Sequence, residues 1–148
     1  MTINSLTLPE SRVAQSNSWV FSRDTMIPSL ARRRVADLLK QWSLTGCVDD
    51  VTLVASELIT NAVIHGHGGI RLEVRLLMPA AMGKVVHVEV TDGGRGLAPG
   101  VFGRVPRPTE EAESGRGLDL VAAVALRTGS VSEAGRNTVW AWIEARSQ

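Results

Sequence analysis

The chain has 148 residues, 44% of them hydrophobic, the size of one compact domain with enough apolar material for a core. Sixteen basic residues against fifteen acidic leave a formal charge of +1, too small an excess for a general nucleic-acid binder. The lone Cys47 excludes an internal disulfide and a cysteine-based metal cluster. No apolar run approaches the ~20 residues that span a bilayer, and Met1 to Glu10 carries no secretory signal, so a cytoplasmic protein is expected.

Residues 1–18 are polar and aperiodic, which predicts a flexible tail ahead of a single domain over 19–148. Trp19-Val20-Phe21 predicts a short strand. Pro28 suits a helix start, and Leu30, Val35, Leu38, Leu39 and Trp42 recur at helical spacing. Arg32-Arg33-Arg34 lies within that helix, either as a solvated outer face or as a docking patch. Gly46 breaks the pattern, and Asp49 or Asp50 caps a second helix that runs to about His65 and is ended by Gly66, Gly68 and Gly69. From Ile70 to Leu77, apolar residues alternate with Arg71, Glu73 and Arg75, the mark of a strand with one buried face. Pro79 to Lys84 reads as a turn, and Val85 to Thr91 as a second strand with Val86, Val88 and Val90 on one side. The loop from Ala98 to Glu113, rich in Pro and Gly, has the makings of a mobile flap. Leu118 to Arg127 predicts a short helix stopped by Gly129, followed by strands near Val131 and from Thr138 to Glu144. Trp140 and Trp142 share one face of the last strand, as core filling in preference to a partner surface. Short turns between neighbouring strands imply antiparallel pairing, hence an α+β fold: a two-layer sandwich of a mixed, mostly antiparallel sheet with helices on one face.

The second helix carries the first chemical signal. Val51, Ala55, Leu58 and Ala62 form the face expected to pack on the sheet. Glu57 and Asn61, four residues apart, project together off that face among Leu53, Val54 and Ile64. Burying such groups is costly unless something satisfies them, so they suggest a pocket wall. A carboxylate and an amide oxygen suit Mg²⁺, which combines few protein ligands with phosphate and water. The glutamate alternatively deprotonates an attacking hydroxyl, and an ordinary amphipathic pair has the same spacing. His65 and His67 make an H-G-H at the helix end, where a histidine is favoured by the dipole and no third metal ligand is near.

Two glycine-rich stretches follow. In Asp92-Gly93-Gly94-Arg95-Gly96 the aspartate stands at a strand end, able to accept from an exocyclic amine, with glycines that let a flat base approach; a plain turn reads the same way. Ser114-Gly115-Arg116-Gly117-Leu118 opens the third helix, where backbone N–H groups bind phosphate and Arg116 adds charge. It is no Walker loop, lacking G-K-[ST], and no Rossmann fingerprint, lacking a βαβ unit.

Together, Glu57-Leu58-Ile59-Thr60-Asn61-Ala62, Asp92 to Gly96 and Gly115 to Leu118 resemble the N, G1 and G2 boxes of the GHKL superfamily. That group contains gyrase-type ATPases, Hsp90, histidine kinases and bacterial anti-sigma-factor serine kinases. S-E-L-I-T-N-A-V-I-H-G is similar to the helix of the single-domain anti-sigma proteins, and the likeness runs from about Val20 to Ile143. The resemblance implies a Bergerat-type sandwich with ATP between the helices and the flap. It implies Asn61 as the Mg²⁺ ligand, Glu57 as general base and Asp92 on the adenine amine, with Gly94 and Gly96 shaping that pocket. Gly115 and Gly117 would lie against the phosphates beside Arg116 and Leu118, and Thr138 near the adenine.

The stretch before the second helix leaves no place for a histidine-kinase dimerisation segment, and gyrase and Hsp90 relatives are far longer. The resemblance therefore implies a protein serine/threonine kinase that regulates transcription by partner switching, with a sigma factor or an anti-sigma-factor antagonist as partner. Homodimers are usual among relatives. Two alternatives stand: a nucleotide-gated module that sequesters its partner without phosphoryl transfer, and a slow ATP hydrolase. The prolines of the flap depart from the family pattern, as does Arg127-Thr128-Gly129 where many relatives have a tryptophan before the glycine.

Overall fold

The computed structural model describes residues 12–24, 26–94 and 112–148. In chain order the elements are β1 (Arg12–Phe21), α1 (Ile27–Gln41), a 3-10 turn (Thr45–Cys47), α2 (Val48–His65), β2 (Gly66–Met78), β3 (Val85–Gly94), α3 (Ala112–Val124), β4 (Arg127–Glu133) and β5 (Arg136–Glu144). The five strands form one sheet in the order β1-β2-β3-β5-β4. All four ladders are antiparallel. The three helices pack on one face, with α2 at the centre, touching α1, α3, β2, β3 and β5. This is the two-layer α+β sandwich of Bergerat type. No described helix is long and apolar enough to cross a membrane.

The inner core follows from period matching. In α1, Ile27, Ala31, Val35, Leu38 and Leu39 are buried, while Arg32, Arg33 and Arg34 are exposed on the other side. In α2 the buried set is Val51, Val54, Ala55, Leu58, Ile59 and Ala62, with Ser56 and Asn61 among them. These helices meet Ile70, Leu72, Val74 and Leu76 of β2, Val86, Val88 and Val90 of β3, and Ala141 and Ile143 of β5. Each fully buried Leu, Ile or Val in this layer contributes about 1.5–3 kcal/mol.

Boundaries shift in four places. β1 starts at Arg12, so residues 12–18, expected in the tail, are a strand; the rest of that tail lies outside the described residues. Asp49 and Asp50 do not cap α2: the 3-10 turn feeds straight into Val48, and the two aspartates stand in the first turn, where acidic groups favour the dipole. The glycines after His65 do not make a loop. Gly66 opens β2, and Gly68, at φ +71°, sits in a bulge between His67 and Ile70. At the other end of the domain α3 stops at Val124 and β4 begins at Arg127, so Gly129 is a strand residue opposite Trp140.

That pairing explains Gly129. The Trp140 indole lies over it, and a Cβ there would come within 2.6 Å of ring carbon Cζ2. Around β3, β4 and β5 the outer face of the sheet carries further contacts of this kind. Trp142 is 1% exposed and forms a small cluster with Leu77 and Val85, flanked by Met82 and Trp140. Its Nε1–H donates to Nδ1 of the fully buried His87 at 2.9 Å. Because Nδ1 accepts, the imidazole carries its proton on Nε2 and donates to Glu89 Oε1 at 3.0 Å. The Arg127 guanidinium covers Trp142, 5.5 Å from the ring centroid. Burial alone would raise the Glu89 carboxyl. The hydrogen bond from His87, the field of that imidazole and the charges of Arg75 and Arg71 outweigh it and hold the group below its ordinary value. Both tryptophans thus fill a cluster, but one on the outer face rather than in the main core.

Candidate functional site

α2 continues into β2 without a loop, which sets the last turns of the helix beside the ends of β3 and β5. An open pocket of about 330 Å³ lies there, lined by Leu58, Asn61, Ala62, His65, Gly66, Val90, Asp92, Asn137 and Val139. Its walls are apolar with a few polar groups, the composition usual for a small-molecule site.

Asn61 is 6% exposed. Its Nδ2 donates to the Glu57 carbonyl one turn back at 2.9 Å. Its Oδ1 is buried and has no hydrogen-bond partner among the described residues. An orphaned amide oxygen costs about 1–3 kcal/mol, so a pocket that keeps one is built for something that will coordinate it. Among the described residues no three His, Cys, Asp or Glu side chains converge on a metal-sized site. A cation held on Asn61 would take most of its ligands from phosphate and water, as Mg²⁺ does. The donor set fits that ion.

Glu57 does not line this pocket. It is half-buried on the neighbouring side of α2, facing α3, where a Cβ added at Gly117 would collide with its carboxylate oxygen. Gly117 thus lets α3 close on Glu57. Because α3 starts at Ala112, Gly115 and Gly117 stand inside the helix rather than at its mouth. Leu118, expected beside the phosphates, is 1% exposed and packs into the inner core. Gly94 ends β3. Gly96, the side chain of Arg116 and the flap over 98–111 lie outside the described residues. Ile64, expected to border the polar pair, is exposed.

Asp92 and Thr138 separate onto opposite faces. Asp92 continues the inward series of Val88 and Val90, and Asn137, its register partner on β5, faces it. Thr138 is one residue further, so its side chain points to the outer face, where its hydroxyl pairs with that of Thr91 at 3.1 Å. The residue beside Asp92 in the pocket is therefore Asn137. Its Nδ2 donates to Asp92 Oδ1 at 3.3 Å, and its Oδ1 accepts from the Ser132 hydroxyl at 2.6 Å. Gly66 closes the other side, since a Cβ there would run into the Asp92 carboxylate.

Sequence reasoning also missed Arg23, between β1 and α1. Its Nη1 donates to the carbonyls of Ala62 and Val63, the latter at 2.9 Å. These are among the last carbonyls of α2; that of Ala62 also accepts from the Gly66 N–H, which caps the helix. The guanidinium thereby ties the start of the domain to the helix end that forms the pocket. Nothing in W-V-F-S-R marks this, because the contact spans about 40 residues of sequence.

Burial raises the Asp92 carboxyl above the ordinary 3.8, against the hydrogen bond from Asn137 and the charges of Arg23 and His67. The raised folded value means that Asp92 favours the apo fold below pH 3.8 and loses that contribution as pH rises through the shifted value. Accepting a bond from an amine calls for the ionised form, which acts in the opposite sense. Affinity for a ligand whose amine bonds to Asp92 is therefore expected to fall on acidification at a higher pH than an exposed aspartate would give. Calorimetric titration with ADP across pH 4–7 checks this, and Asp92→Asn should remove the dependence.

The sequence matches one described group of domains. The profile of the histidine kinase-like ATPase domain aligns with residues 23–143. The chain belongs to that family. Among solved structures, this ATPase-type domain is similar to the RsbU and RsbW domains of Rv1364c from Mycobacterium tuberculosis. The TM-score is 0.57 at 19% identity, over 90% of this chain and 34% of that one. It therefore spans about a third of that structure, and the likeness is one of fold. It also aligns with the Acinetobacter baumannii histidine kinase AdeS, at 14% identity and a TM-score of 0.48, over 87% of this chain and 68% of that one. No match was found among curated proteins.

Proposed function

We propose that this domain binds ATP with Mg²⁺ and acts as a cytoplasmic anti-sigma-factor-type protein serine/threonine kinase, regulating transcription by partner switching with a small antagonist protein. The observation that carries the reading is the buried, unpartnered Asn61 Oδ1, in one pocket with the Asp92 carboxylate. The first suits a phosphate-bound cation, and the second a base amine.

Asp92 and the apolar walls formed by Leu58, Ala62, Val90 and Val139 hold the base. Asn61 supplies an oxygen to Mg²⁺, which when bound neutralises phosphate charge. Glu57, held at the seam of α2 and α3, takes the proton of a substrate serine or threonine hydroxyl. The hydroxyl oxygen bonds to the γ-phosphorus, the bond to the β–γ bridging oxygen breaks, and ADP leaves. A sigma factor or its antagonist is the protein partner, and the exposed Arg32-Arg33-Arg34 face of α1 is available to an acidic surface.

The alternative, a nucleotide-gated module that sequesters its partner without chemistry, is favoured by one feature: Glu57 stands outside the residues that line the pocket. The test incubates the protein with γ-labelled ATP, Mg²⁺ and lysate of the source cell, alongside ADP calorimetry. Label on the serine or threonine of a small protein supports the kinase. Tight ADP binding without label selects the sequestering module, and no nucleotide binding overturns both.

A further inference from the structure

Resting on the reading of Asn61 as the residue that meets a phosphate-bound cation, we infer that Arg23 is a positioning residue for it: the guanidinium caps the end of α2 from outside the helix and so holds the Asn61 amide in the pocket. The argument starts from how α2 ends. A helix leaves its last carbonyls without partners inside it, and a left-handed glycine after the last turn is a common way to satisfy them. α2 has no such residue. Gly66 is extended, at φ −94° and ψ −171°, because the chain passes directly into β2. Its N–H reaches the Ala62 carbonyl. Asn61 stands one turn before this end, and helix ends fray, so an uncapped last turn would let its side chain leave the pocket wall.

Arg23 supplies the rest of the cap. Its Nη1 donates to the carbonyls of Ala62 and Val63, the two residues that follow Asn61. The cation also suits the negative end of the helix dipole. Arg23 is fixed in turn by its neighbour. The Asp24 carboxylate accepts the Met26 N–H at 2.8 Å and the Asp24 carbonyl accepts the Ile27 N–H at 3.2 Å, which anchors the segment at the start of α1.

The remainder of the guanidinium argues against a role in stability alone. Nε and Nη2 are shut off from solvent and meet no hydrogen-bond partner among the described residues. No described carboxylate forms an ion pair with Arg23. Asp92 feels its charge but bonds to Asn137. A desolvated cation with more than half of its donors unmet is a poor choice for stability. What it does accomplish is to hold the one turn of α2 that carries Asn61.

The test compares ADP affinity by calorimetry in Mg²⁺ and in EDTA for wild type, Arg23→Lys and Arg23→Gln. Beside it, hydrogen exchange is followed at the amides of the last turn of α2 in the nucleotide-free protein. Wild type is expected to bind ADP more tightly in Mg²⁺. Arg23→Gln should lose about 10-fold of that affinity, the effect of a lost bond from a charged donor, yet stay within about twofold of wild type in EDTA. Its last-turn amides should exchange faster. Arg23→Lys keeps a charged donor at the carbonyls and should restore both. Added to Asn61→Ala, Arg23→Gln should cost no further Mg²⁺ dependence, because the cap acts on the cation only through that amide. A loss equal in Mg²⁺ and EDTA, or no loss, overturns the role of Arg23 and leaves the cation reading of Asn61 standing. A wild-type affinity that Mg²⁺ does not change overturns that reading, and the role of Arg23 with it. Asp24→Ala frees the segment without touching the guanidinium, and serves if Arg23→Gln does not fold: a smaller loss confined to Mg²⁺ supports the cap, and an unchanged affinity overturns it.

Discussion

Glu57→Gln is expected to slow phosphoryl transfer by roughly 10²–10⁴-fold while leaving ADP affinity within about twofold. Glutamine keeps the shape of glutamate, so α2 and its contact with Gly117 persist, but it cannot take up the hydroxyl proton. The residues that line the base pocket do not include Glu57, which is why binding should survive. Single-turnover transfer to the partner protein, measured beside ADP calorimetry, separates the two effects. A Gln variant that transfers at the wild-type rate would remove Glu57 as the base. Gly117→Ala should slow transfer by a different route, because the new methyl group moves the carboxylate out of place while leaving its ability to take up a proton intact.

The largest effect on stability is expected at Trp142, on the far side of the sheet. Trp142→Ala empties a site packed against Leu77 and Val85, strips Arg127 of its aromatic face and leaves His87 Nδ1 without its donor. Large-to-small changes of this kind cost about 3–5 kcal/mol, a large share of the ~5–15 kcal/mol that holds a domain together. The melting temperature should fall by about 2–4 °C per kcal/mol lost. Trp142→Phe keeps most of the volume and gives up only the indole N–H, so about 1–3 kcal/mol is expected. Urea unfolding of the three proteins checks the order, and a Phe variant as unstable as Ala would mean that the hydrogen bond, rather than packing, dominates.

What the sequence disclosed follows from where side chains carry the information. α2, β2 and β3 were legible because burial on one face imprints a period: Leu58 and Ala62 in the helix, Ile70 to Leu76 and Val86 to Val90 in the strands. Strand β1 was not legible over 12–18. Those residues are exposed edge positions joined to β2 by backbone bonds, which any side chain permits. The expected helix overruns the start of β4 at Arg127 because Arg127 to Gly129 has no period of its own; only the pairing with Trp140 and Trp142 makes it a strand. In the site, Asn61 and Asp92 stood out as polar groups set among apolar or glycine neighbours. Asn137, Ser132 and Arg23 did not, since their roles come from register and from contacts far along the chain. Thr138, expected beside Asp92, is one residue from Asn137, and in a strand one residue is the opposite face.

The placement of the four tryptophans has an optical consequence. Trp140 and Trp142 sit behind the sheet, and Trp19 and Trp42 pack at the margin of the inner core. None lines the pocket. Intrinsic emission from this protein is therefore a gauge of whether the sandwich is intact and is insensitive to what the pocket holds. Titrations with nucleotide need heat, a labelled ligand or a tryptophan installed at the rim, and a fluorescence trace that stays flat on adding ATP says nothing about whether ATP has bound.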